Sequence, residues 1–163
     1  MRRRHLSFGL ALLLATGGPV HARTLFAGGH WVAVERPDGR SCAALARSEL
    51  IAPKGSDQAR VSFTFDSRGP RQGELHVRLS RPARPGSSVL LVVGGQPFQL
   101  LARGPDAWSR GPAQEGAIIA ALRRAGDMRV RFRGHGSGYT DRYLLAGGPT
   151  AIDAAVAACS RPR

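Results

Sequence analysis

The sequence predicts a mainly β fold: an antiparallel, sandwich-like domain of about seven or eight short strands with two short helices. Three observations carry this. Short segments alternate apolar and polar residues and are separated by Gly- and Pro-rich turns. Only two stretches have helical spacing, one after Pro112 and one in the tail. The two cysteines, Cys42 and Cys159, stand far apart, so that a disulfide would tie the C-terminal helix back to the first strands.

The N-terminus reads as a targeting segment. Met1 to His5 is basic, Leu6 to Thr16 is apolar, and Gly17-Gly18-Pro19 breaks the run before Val20-His21-Ala22. This is the pattern of a secretory signal peptide over residues 1–22, with cleavage expected after Ala22. The apolar run falls well short of the roughly 20 residues of a spanning helix. Residues 23–163 are expected to form a single domain, with export to the periplasm or onto the cell surface; Arg2-Arg3-Arg4 leaves Sec and twin-arginine export both open. Two cysteines in an exported chain suggest one structural disulfide, Cys42–Cys159.

Taken in order, Arg23 to Gly29 reads as a lead-in, and His30 to Glu35 as a strand that offers Trp31 to the core. Pro37-Asp38-Gly39 turns the chain into Ser41–Ala46, a returning strand whose small residues would also suit a helical turn. Glu49 to Ala59 reads as a loop. Arg60 to Asp66 alternates, with Val61, Phe63 and Phe65 on one face, and Glu74 to Ser80 alternates through Leu75, Val77 and Leu79. Ser88 to Val93 is continuously apolar, as a strand buried on both faces would be. It is joined to Gln96–Ala102 by Gly94-Gly95, a pair suited to the positive φ angles of a type I′ turn. Pro97 belongs at an unpaired edge.

Arg103 to Gly111 reads as a loop containing Trp108. Pro112 to Ala125 reads as a helix with Gly126 as its cap. Met128 to Arg133 alternates strictly, with Met128, Val130 and Phe132 inward and Arg129, Arg131 and Arg133 outward. Gly134 to Gly138 is a turn and Tyr139 to Ala146 the last strand. In the tail helix Thr150 and Asp153 fit a capping box, and Ile152, Val156 and Cys159 form its apolar stripe.

The charge is +13 over the whole chain, and Lys54 is its only lysine. Such a balance suits anionic partners such as lipopolysaccharide, anionic phospholipid or sulfated glycans. A coding bias towards Arg over Lys accounts for it equally. The candidate anion-binding set is Arg129, Arg131 and Arg133 on one strand, Arg142 on the next, and Arg78 with His76 on an adjacent wet face. The set lacks interleaved aromatics, which argues against a specific nucleic-acid partner.

Catalytic motifs are weak. Gly134-His135-Gly136-Ser137-Gly138 has the wrong register for a nucleophile elbow, and a strand on either side. His30, His76 and His135 form no ligand-like pair, so neither a metal nor a cofactor is expected. Asp141 near His135 reads as a solvated pair flanking a turn.

The order of these features resembles the invasion-associated locus B family of bacterial exported proteins. It is carried by Trp31, then Cys42, then Ala125-Gly126-Asp127-Met128-Arg129-Val130, then Tyr139-Thr140-Asp141-x-Tyr143-x-Leu145-x-Gly147, and Ala151-Ile152-Asp153-Ala154-Ala155 ahead of Cys159. The likeness covers most of residues 23–163 and is densest from Ile118 to Cys159. It implies a small β-rich, non-enzymatic periplasmic or surface-associated protein that binds an envelope component or a protein partner. It carries over no catalytic residue. The alternatives are a polyanion or lipopolysaccharide binder using the arginine-bearing sheet face, and a periplasmic hydrolase or hydrolase inhibitor. The enzyme reading would need His135, Asp141 and a serine gathered in one pocket.

Overall fold

The computed structural model describes residues 21–159. The signal-peptide reading of residues 1–22 therefore lies outside it, apart from His21 and Ala22. The fold is mainly β: ten antiparallel strands in one continuous sheet, with two helices. In chain order the elements are β1 (Arg23–Gly28), β2 (Trp31–Glu35), β3 (Ser41–Arg47), β4 (Arg60–Asp66), β5 (Gln72–Arg78), β6 (Val89–Val93), β7 (Gln96–Arg103), β8 (Asp106–Trp108), α1 (Pro112–Leu122), β9 (Asp127–Arg133), β10 (Gly138–Leu144) and α2 (Gly148–Cys159). The spatial order is β1-β2-β3-β4-β5-β8-β7-β6-β9-β10.

Two strands exceed the sequence expectation. The lead-in pairs with β2 as β1, and the Trp108 loop contains the three-residue β8, which joins β5 to β7. Neither segment alternates long enough to announce itself. The other strands follow their patterns. Val61, Phe63 and Phe65 are buried on β4, and Met128, Val130 and Phe132 on β9. Gly94 and Gly95 have φ of 53° and 88°, the positive angles of the expected tight turn, and Val93 pairs with Gln96 across it. Pro97 pairs only towards β6, because β8 reaches no further along β7 than Leu101.

The sheet's last strand returns to its first hairpin. The Ala146 carbonyl accepts the His30 N–H at 2.9 Å, and the Arg142 carbonyl accepts the Glu49 N–H at 2.9 Å. The far edge of β10 is thus partly satisfied by the segments that precede β2 and follow β3, which blunts an otherwise open edge. Residues from β2 to β10 and both helices share one hydrophobic cluster.

Helix α2 lies on the face of β1–β4 that carries Trp31, Ala33, Cys42 and Ala44. Trp31 stacks on Phe63, and its indole N–H donates to the Leu144 carbonyl at 2.9 Å. Cys42 and Cys159 are joined by a disulfide across a Cα–Cα distance of 5.8 Å, and both are fully buried. The helix opens differently from its sequence reading. It begins at Gly148, so Thr150 lies inside the first turn, exposed, and is not the N-cap. Gly147, at φ 90°, makes the entry, and its carbonyl accepts the Ala151 N–H. Asp153 points away from the helix start and binds Arg123 beyond the end of α1. The buried stripe runs through Ala151, Ile152, Ala155 and Cys159, with Val156 at its margin. Helix α1 ends at Leu122, three residues early, and Gly126 does not adopt a cap conformation. Among the described residues, no helix is long and apolar enough to cross a membrane.

Candidate anion-binding face

Strict alternation on β9 puts three arginines on the outer face of the sheet, successive ones about 7 Å apart along the strand. Strand β10 extends the set. Arg142 lies directly opposite Arg129, with Thr140 opposite Arg131 and Gly138 opposite Arg133. On the other side Val92 and Leu90 of β6 face Arg129 and Arg131, so the arginine stems border apolar surface. Arg84 extends the basic end, its N–H donating to the Arg133 carbonyl at 2.7 Å.

Acidic compensation is sparse. Arg129 reaches Asp127 at 3.3 Å across exposed surface. Arg131, Arg133 and Arg142 are exposed and have no ion pair among the described residues. Their guanidinium groups are free to take phosphate or sulfate oxygens in forked geometry.

Arg78 does not join them. It shares the outer face but sits on β5, with β8, β7 and β6 between it and β9. Its guanidinium is held by two carboxylates, donating to Asp106 at 2.8 Å and to Asp57. His76 bonds the same Asp106 at 2.9 Å and packs its ring against Trp108. Local alternation puts Arg78 beside the stripe, because it does not reveal that three strands intervene.

Asp141 also departs from its expected place. It faces inward on β10 and is buried, with its carboxylate accepting the Ser80 N–H at 2.9 Å. Burial pushes its carboxyl above the ordinary carboxylate range, against the lowering pull of that hydrogen bond. His135 is exposed at the tip of the β9–β10 turn. A cleft of about 290 Å³ does gather Asp141 with Ser48 and Ser80, but no histidine lines it. The Ser48 hydroxyl is engaged, donating to the Leu50 carbonyl and accepting from the Gln58 amide. The nucleophile–base pairing that a hydrolase needs is therefore not assembled there. Alternation does carry the signal for Asp141: if Thr140 and Arg142 face water, Asp141 and Tyr143 must face the core. Tyr143 is buried as well, and its hydroxyl lacks a hydrogen-bond partner among the described residues.

Among the described residues, no group of three or more His, Cys, Asp or Glu side chains could hold a metal ion. A second cleft, of about 710 Å³, lies at the loop ends near Asp38 and Asp66, and its carboxylates are already occupied. Asp38 accepts the Arg40 N–H at 2.9 Å, and Asp66 pairs with Arg71 at 2.7 Å.

No family model, curated protein or solved structure matches this chain.

Proposed function

We propose that the chain is an exported, non-catalytic binding protein of the invasion-associated locus B type. On this reading it acts in the periplasm or at the cell surface, where the outer face of β9 and β10 meets a phosphorylated or sulfated envelope glycan such as lipopolysaccharide. One observation carries the reading: Arg131, Arg133 and Arg142 lie together, exposed and without acidic partners among the described residues. A merely solvated surface would be expected to intersperse both signs of charge. The buried disulfide supports an oxidising compartment.

Titration with heparin and with purified lipopolysaccharide at low and high salt tests this. Binding should weaken steeply as ionic strength rises, because exposed charge pairs are screened over about 8 Å in physiological salt. Arg131→Ser/Arg133→Ser/Arg142→Ser should remove most of it. Binding that persists in high salt, or in this triple variant, would sink the proposal.

A further inference from the structure

The loop from Ser48 to Ala59 exposes two adjacent aliphatic side chains. Leu50 is 70% and Ile51 74% exposed, the highest values among the large hydrophobic residues described. Single exposed hydrophobics are ordinary, but these are not isolated. Ile51 and Leu144, the latter 40% exposed, border one cleft of about 650 Å³ that continues to Leu45 and Val32.

The loop is built to hold this display. The Gln58 amide donates to the Ser48 hydroxyl at 2.8 Å and to the Leu50 carbonyl at 2.9 Å, while its oxygen accepts the Ala52 N–H at 2.9 Å. The Ser48 N–H donates to the Ala59 carbonyl, closing the base of the loop. A loop pinned at this many points has already met most of its ordering cost, so it does not need to refold in order to engage a surface.

The surrounding charge identifies the surface. Arg47 borders the larger cleft beside Ile51, and Arg81 borders the smaller one beside Leu50. Lys54 lies on the loop itself, and Arg142 sits against it through the Glu49 hydrogen bond. All four cations are exposed and have no ion pair among the described residues. Of the nearby acids, Asp57 is held by Arg78 and Asp141 is buried, leaving Glu49. We propose that Leu50 and Ile51 insert into the interface of a bilayer rich in anionic phospholipid, with Arg47, Lys54, Arg81 and Arg142 seated on its headgroups. Aliphatic insertion combined with cation attraction is the physical basis of reversible interfacial binding. The proposal shares Arg142 with the glycan-binding reading but rests on Leu50 and Ile51, which that reading does not use, and it needs neither Arg131 nor Arg133.

Co-sedimentation with vesicles of phosphatidylcholine, alone or mixed with phosphatidylglycerol, tests it. The protein should partition onto the mixed vesicles and not onto the neutral ones. Leu50→Ser/Ile51→Ser should lower that partitioning roughly tenfold or more, since two aliphatic side chains leave the apolar phase. The variant should keep its unfolding midpoint and its heparin binding, whereas Arg131→Ser/Arg133→Ser should weaken heparin binding, so the two proposals fail separately. As an independent measurement, Ile51→Trp should show blue-shifted emission with the mixed vesicles and not with heparin. Equal binding to neutral vesicles would overturn the anionic bilayer and the role given to the cations; unchanged partitioning in the serine variant, or unshifted emission, would overturn the insertion and leave the patch to a protein partner.

Discussion

The β9–β10 hairpin and helix α2 follow one another in the chain and use their side chains in opposite ways. In α2, Ile152, Ala155 and Cys159 go into the core, and Asp153 ties the helix to Arg123 beyond α1. Each residue has a structural partner. On the outer face of β9 and β10, Arg131, Arg133 and Arg142 have none among the described residues, and nothing in the packing requires them. The arginines carry the functional reading because no ion pair among the described residues engages Arg131, Arg133 or Arg142.

The contrast breaks most directly at the disulfide. Removing it with Cys42→Ala/Cys159→Ala releases a cross-link between residues 117 positions apart. The chain-entropy model assigns such a loop about 4–5 kcal/mol, and engineered removals often measure less. Urea unfolding should show a larger drop in midpoint than any substitution at Gly147, Asp141 or the exposed arginines, with heparin binding retained wherever the variant is folded. An unchanged midpoint would mean that α2 is held by packing alone.

The entry to the same helix gives the next largest effect. Gly147 has φ of 90°, and a Cβ there would overlap the Gly28 carbonyl. Gly147→Ala should therefore cost about 1–3 kcal/mol, combining backbone strain with displacement of the β1–β2 turn. Thermal unfolding measures it. A neutral result would show that the contact between the tail and the first hairpin is loose, leaving the disulfide as the main tie between α2 and the first strands.

Between the two regions stands Asp141, on the strand that carries Arg142 but facing the core. Its folded-state carboxyl is raised by burial, so the folded protein holds that proton more tightly than the unfolded chain does. Protonation at this site therefore favours folding, and the contribution is lost as pH rises through the folded value. Asp66 and Asp153 have the opposite sign. Their carboxyls are lowered by Arg71 and Arg123, and their contributions are lost as pH falls through the acid range. Asp141→Asn isolates the first group. Urea midpoints measured from neutral towards acid pH should shift in favour of the wild type relative to the variant. A constant difference would mean that Asp141 is not desolvated.

What is legible in the sequence follows the same division. Periodic segments announce themselves: β4 through Val61, Phe63 and Phe65, the β6–β7 hairpin through Gly94-Gly95, and the outward arginines of β9 through alternation. Properties set by non-local topology do not. Arg78 resembles Arg131 in its local pattern, yet the insertion of β8, β7 and β6 between β5 and β9 separates them. For helix α2 the sequence offers Thr150 with Asp153 as the start signal, yet the helix begins at Gly148, where Gly147 meets the β1–β2 turn, distant in sequence. The Leu50–Ile51 display reads in sequence only as a loop, since the Gln58 hydrogen bonds that shape it leave no periodic trace.

The smallest stability effect makes the sharpest test of the contrast. Arg131→Ser/Arg133→Ser removes two exposed side chains that have no ion pair among the described residues, so the unfolding free energy should stay within about 0.5 kcal/mol of wild type. It could even rise slightly, because Arg129, Arg131, Arg133 and Arg142 repel one another across the strand pair. Heparin binding should meanwhile fall, and its salt dependence should flatten. If the variant instead lost several kcal/mol, the arginines would be structural after all, through stems packed over Leu90 and Val92, and the difference between hairpin and helix would disappear. If stability and binding both stayed unchanged, the face would be a solvated surface of coding-biased charge. Loss of binding at constant stability is the combination that a binding face requires and a packing role cannot produce.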